Sequence, residues 1–152
     1  MSGSRRPSTN AVPALDQART NFELALAYDP ATVGWPGLHL GRLLHLSGDL
    51  RAAEKAFRAS VASGHVAHAP VASYHLGRLH EELGNTETAI AAYRQAGESA
   101  DPLQASAATY QLGRLLTGTG DLEGARAAFQ RAAATRNTWY GHLADDALRT
   151  LQ

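Results

Sequence analysis

Apolar residues along the chain fall three and four positions apart, in short runs separated by glycine and a polar residue. That spacing puts them on one face of a helix rather than one face of a strand. The run Leu40-Gly-Arg-Leu-Leu-His-Leu46 predicts one helix, and Gly48 predicts its end, because glycine closes a helix in the left-handed conformation without a Cβ clash. Asp49 follows as a predicted N-cap. A second apolar stripe then begins, made of Leu50, Ala53, Ala56 and Phe57.

The same pattern returns twice. Leu-Gly-Arg-Leu occurs at 40–43, 76–79 and 112–115, so its glycines, Gly41, Gly77 and Gly113, recur every 36 residues (77 − 41 and 113 − 77). Gly48, Gly84 and Gly120 keep that step, each followed by a cap residue: Asp49, Asn85 and Asp121. So do Ala53, Ala89 and Ala125, and the rings Phe57, Tyr93 and Phe129. Four position sets in one register predict a repeat whose units each contain two helices. Ala89, Tyr93 and Ala96, then Leu122, Ala125, Phe129 and Ala132, supply the later stripes, the ring filling space between neighbouring units. Pro70 and Pro102 fall near the starts of the next first helices, where a missing N–H costs little.

The ends are half units. Leu15, Ala18 and Phe22 match Leu50, Ala53 and Phe57, so residues 14–28 read as a second helix without its first. Residues 138–151 read as a lone first helix acting as a cap, with Leu148 and Leu151 one period beyond Leu112 and Leu115. The expected organisation is a disordered tail over 1–12, a half unit over 13–34, units over 35–70, 71–106 and 107–137, and the cap. That makes an all-α, right-handed solenoid of about eight helices. Two readings of the first helix stay open: Leu15, Phe22 and Leu26 form an oligomer interface, or the helix folds onto the array and needs nothing further.

Composition narrows the function. Fourteen basic and fourteen acidic residues give zero formal charge, so no global field draws in nucleic acid or an anionic membrane. The absence of cysteine excludes disulfides, thiolate metal sites and a cysteine nucleophile. There is no membrane-length apolar run and no secretory signal, and a cytoplasmic location is expected.

The Leu-Gly pair, the Gly-Asp or Gly-Asn turn, the early alanine of the second helix and the ring four residues later resemble the tetratricopeptide repeat family. The resemblance covers roughly residues 14–151, with a period longer than the family's ~34. Segment 63–70 looks like the linker of long-period repeats common in actinobacterial proteins. Gly37, Ser73 and Thr109 replace the family's early aromatic, and Leu44, His80 and Leu116 its later tyrosine. The resemblance implies a concave face lined by first helices that binds a protein or peptide. On it would stand Arg42, Arg78 and Arg114, one per unit, suited to carboxylates and therefore to an acidic partner. Leu38, Tyr74 and Tyr110 lie four residues earlier, and His39, His75 and Gln111 form the next column. Each arginine could equally pair with a nearby acid, and Glu81 and Glu82, one turn past Arg78, are candidates to neutralise it. The family's two-carboxylate clamp is not reproduced, since Leu38 and Tyr74 stand where a lysine is wanted.

Other chemistry is thin. Zinc needs three or four convergent ligands, and His65 with His68, His39 with His45, or His75 with His80 make only pairs. No metal site and no cofactor are expected. There is no phosphate loop and no nucleophile elbow; Asp145 and Asp146 are helix neighbours that point apart, and Gly118-Thr-Gly120 reads as a helix stop. The chain is not expected to be an enzyme. Three functions remain: a peptide-binding adaptor, a self-assembling scaffold, and a regulatory module of a larger signalling or transcription system.

Overall fold

A computed structural model describes residues 11–135 and 138–151. Among them are eight α-helices, one 3-10 turn and no strand. The helices are α1 (Ala11–Tyr28), α2 (Gly34–Leu46), α3 (Leu50–Ala62), α4 (Ala69–Glu82), α5 (Thr86–Ala96), α6 (Pro102–Thr119), α7 (Leu122–Ala134) and α8 (Trp139–Thr150). Helix α1 already runs at Ala11, two residues before the expected boundary; the rest of the expected tail, 1–10, lies outside the described residues.

The pairs α2–α3, α4–α5 and α6–α7 make the strongest contacts, and each second helix then packs on the next first helix. First helices also touch one another, α2 with α4, α4 with α6 and α6 with α8. No comparable contact joins α3 to α5 or α5 to α7, so the first helices form the inner, shorter layer of a solenoid.

The sequence explains the turns. Gly48, Gly84 and Gly120 sit at φ of +84°, +74° and +84°. Asp49 accepts from the Ala52 N–H and Asp121 from the Gly124 N–H. Asn85 departs from expectation: it makes no side-chain cap, and its amide lies 3.5 Å from His80 Nδ1. Gly118 is no stop but lies inside α6, which ends at Gly120. Asp101, unflagged by the repeat, caps α6 through the Leu103 and Gln104 N–H groups.

The rings differ from expectation in where they point first. Phe57, Tyr93 and Phe129 lie on the glycine of their own unit: a Cβ on Gly41, Gly77 or Gly113 would stand 2.5, 2.7 or 2.7 Å from the ring. These glycines allow close approach within the pair, which is why Leu-Gly recurs. Phe57 and Tyr93 are fully buried. Leu122 is not part of the buried stripe; it is half exposed.

Helix α1 spends its apolar stripe inside the chain. Phe22 is buried, and Leu15, Ala18, Ala25 and Leu26 pack partly buried against the same cluster as Val33, Leu38 and Leu40. Arg19 donates to Asp49 at 2.7 Å, and Lys55 to Glu23 at 3.1 Å, fastening α1 to α3. No described helix is long and apolar enough to cross a membrane.

Candidate functional site

Each Leu-Gly-Arg-Leu turn divides its work by angle. The glycine receives the ring of its own second helix, so the next residue, about 100° further round the helix, turns away from that contact. Arg42, Arg78 and Arg114 are accordingly all exposed, on the inner layer of first helices. Of the leucines on either side, Leu40, Leu76, Leu79 and Leu112 are buried, whereas Leu43 is half exposed.

The three arginines are not equivalent. Arg114 is committed: its guanidinium pairs with Glu81 of the preceding unit, and its Nε donates to Gln111 Oε1 at 2.9 Å. Glu81 also accepts from the Tyr93 hydroxyl at 2.6 Å. Arg42 and Arg78 make no ion pair or side-chain hydrogen bond among the described residues, and they line an open cleft of about 400 Å³ with His45, Leu46, His75 and Glu82. The expectation that Glu81 and Glu82 would neutralise Arg78 fails. Glu81 reaches forward to Arg114, and Glu82 reaches back across the cleft to His45 Nε2 at 2.8 Å.

The cleft floor is uncharged. The His75 ring stacks on Phe57, with centroids 5.3 Å apart and planes 8° apart. Burial, then the nearby Arg42 and Arg78 guanidiniums and His45, push its pKa down to about 4. It is therefore a neutral hydrogen-bonding group at physiological pH. Its counterpart Gln111 holds Arg114, and His39 lies under Trp35 with centroids 4.3 Å apart. The third column thus splits into three environments.

The apolar column changes too. Leu38 is buried in the core and offers no groove surface. Tyr74 and Tyr110 are half-buried. Tyr74 packs edge-on to Tyr93 at 5.6 Å, and Tyr110 lies 5.6 Å from the Tyr140 ring. Burial, then the neighbouring Tyr140 phenol, push the Tyr74 phenol up to about 12, against Gln111 and Arg78, which act to lower it. Sequence reasoning missed Tyr140: it stands near the start of α8, outside the repeated register, so periodicity gives no signal for it. Together the three tyrosines cover the inner face of the C-terminal half, and the open cleft lies in the N-terminal half.

Other candidates are weaker. Among the described residues no group of three or more His, Asp or Glu could hold a metal ion. His65 and His68 bond each other, Nδ1 to Nδ1 at 3.3 Å, and His65 Nδ1 accepts from the Ala67 N–H. His80 is buried with Nε2 lacking a hydrogen bond, 3.5 Å from Glu54 Oε1. A larger cleft of about 570 Å³ opens between α7 and α8, lined by Gln130, Ala133, Gly141, His142, Asp145 and Leu148. Its volume exceeds that of the arginine cleft, but Asp145 is the one carboxylate on its walls and no guanidinium lines it. The corresponding groove between α5 and α6 is smaller, about 330 Å³, because α7 packs across it: Ser106 donates to the Ala132 carbonyl and Arg131 to the Gly97 carbonyl.

Two solved structures share this architecture. One described as the crystal structure of MamA aligns over 99% of this chain and 90% of that one, with a TM-score of 0.64 and 20% identity. A second, of the MamA protein, covers 91% of this chain and 77% of that one, with a TM-score of 0.63 and 21% identity. At that identity the likeness speaks to the fold. No curated protein matches the chain by sequence. The family model described as tetratricopeptide repeat matches residues 38–102 and 98–141. That span takes in all three Leu-Gly turns and all three rings, so the two-helix units with glycine under the ring are tetratricopeptide units, built for protein–protein interaction, and this chain belongs to the tetratricopeptide repeat family.

Proposed function

We propose that this protein is a non-catalytic adaptor that binds an acidic peptide segment of a partner along its inner face, with the cleft between α2 and α4 as the recognition point. The observation that carries the reading is the pair of uncommitted guanidiniums, Arg42 and Arg78, side by side over the neutral His75 and beside Leu46, which is 86% exposed. Two guanidiniums suit one carboxylate or two adjacent ones, and Leu46 offers apolar contact to a neighbouring side chain. A preformed surface on stacked helices lowers the ordering cost of binding. Arg114, Tyr74 and Tyr110 act as framework in this reading. The test is fluorescence anisotropy with a labelled acidic peptide against the double variant Arg42→Ala/Arg78→Ala and against Arg114→Ala. Loss of binding in the first alone supports the reading; equal loss in both, or in neither, sinks it.

A second reading, a homo-oligomeric scaffold, is favoured by the N-terminal end. Leu43 is 53% exposed, whereas its repeat equivalent Leu79 is fully buried by the preceding unit. Leu24 and Tyr28 are exposed at the same end. The C-terminal end opposes head-to-tail growth: Asp145 and Arg149 occupy the repeat positions of Thr109 and Gly113, where a further second helix and its ring would press. An N-to-N dimer is the form this reading takes. Light scattering over a concentration series, with Leu43→Glu as the disrupting variant, decides it.

A further inference from the structure

The acid that belongs to Arg78 is pointing elsewhere. Glu82 follows Arg78 by four residues on α4, the spacing at which helix side chains of opposite charge pair. Its carboxylate instead crosses to α2 and meets His45 Nε2 at 2.8 Å. Arginine before glutamate is the weaker orientation for such a helical pair, so a competing cation can draw the carboxylate off. We propose that His45 and Glu82 gate the anion site of Arg42 and Arg78. Protonated His45 holds Glu82 across the cleft and leaves Arg78 open to a partner's carboxylate; neutral His45 lets Glu82 return to Arg78 and close it. The gate rests on the adaptor reading for its purpose, but its mechanism is internal to the chain.

The surroundings single out His45 and its contact with Glu82. Own-helix Arg42 and the α4 residues His75, Arg78 and Glu82 line the cleft with it. His75 stacks on Phe57, is pushed down to about 4, and keeps one charge state over the range used below. The remaining acids of the neighbourhood are engaged: Asp49, at the α2–α3 turn, with Arg19 of α1, and Glu81 of α4 with Arg114 of α6. Glu54 of α3 pairs with Arg58 and faces His80. A neutral imidazole can still donate one hydrogen bond to Glu82, but it no longer attracts the carboxylate by charge, and the Arg78 guanidinium then wins. Both charges at the pair are partly solvated, with side chains 17% and 49% exposed, so the gate is graded rather than absolute.

Two measurements test it. The first needs no ligand: the Arg78 Nε–Hε resonance is followed by NMR from pH 5.5 to pH 8. As pH rises, the signal is expected to shift in the native chain and to stay in place in Glu82→Gln. An Arg78 signal that ignores pH, or that responds equally in Glu82→Gln, overturns the gate. The second uses a fluorescein-labelled hexaglutamate peptide. Binding is expected to be about threefold to fivefold tighter at pH 5.5 than at pH 8, the size of one partly exposed charge pair. Glu82→Gln should bind at pH 8 as tightly as the native chain does at pH 5.5, and His45→Gln should stay at the weaker level throughout. Peptide affinity that is independent of pH overturns the gate and spares the adaptor. A normal Arg78 response with no peptide binding at either pH overturns the acidic-ligand reading and spares the gate.

Discussion

Replacing Gly77 with alanine adds one methyl group at the tightest point of the second unit. The new Cβ would stand 2.7 Å from Tyr93 Cδ1 and Cε1 and 2.9 Å from Cζ, well inside contact distance. The ring cannot yield freely: Tyr93 is fully buried, lies 5.6 Å from the Tyr74 ring, and its hydroxyl is tied to Glu81. Overpacking of this kind costs about 1–3 kcal/mol, and the better helix propensity of alanine returns at most about 1 kcal/mol. The expected net loss is about 1–2 kcal/mol, or a fall in Tm of roughly 3–8 °C for a domain of this size. Gly118→Ala supplies the control. It too lies inside a helix, α6, but nothing stands within 4 Å of an added Cβ, so propensity acts alone and stability should rise by less than about 1 kcal/mol. Urea and thermal unfolding followed by circular dichroism would measure both. If Gly77→Ala proves as stable as Gly118→Ala, the ring-on-glycine contact does not explain why the Leu-Gly pair recurs.

Other consequences follow the same contacts. Asp101→Ala removes the acceptor for the Leu103 and Gln104 N–H groups and should cost about 1 kcal/mol in urea unfolding, with no change in peptide affinity. His75 is held at about 4 when folded and titrates near its ordinary value when unfolded, so between those values the unfolded chain binds more protons. Stability should be full above roughly pH 6.5 and fall as pH drops toward 4; unfolding midpoints across that range in His75→Gln, which copies Gln111, should show a shallower slope. Tyr93→Phe keeps the ring on Gly77 but removes the bond to Glu81, and should cost about 1 kcal/mol while leaving helicity by circular dichroism unchanged.

What could be read in the sequence was whatever obeys the period. Helix count, the left-handed glycines at 48, 84 and 120, and the aspartate caps all arise within one unit, where spacing alone decides geometry. The site was less legible because its chemistry runs between units. Glu81 lies 33 residues from Arg114, and Glu82 lies 37 from His45, so neither pairing follows from helical neighbours. Leu38 looked like groove surface by its four-residue offset from Arg42, but the start of the array draws it into the core around Phe22 and Val33. For the stripe Leu15, Phe22 and Leu26 the sequence leaves two readings open, an interface or a helix folded onto the array, because the α1–α3 ion pairs that hold it down join residues 30 and 32 positions apart.

Tyr93 carries a hydroxyl where Phe57 and Phe129 carry none. In the first and third units the core ring ends in carbon and makes no hydrogen bond toward the inner face. In the second unit the core reaches out through that oxygen, fixes Glu81, and through it retires the third cation of the column. One oxygen atom steadies the carboxylate that holds Arg114: taking it away would loosen Glu81 and, in the proposed adaptor, make the third cation of the column easier for an acidic partner to recruit.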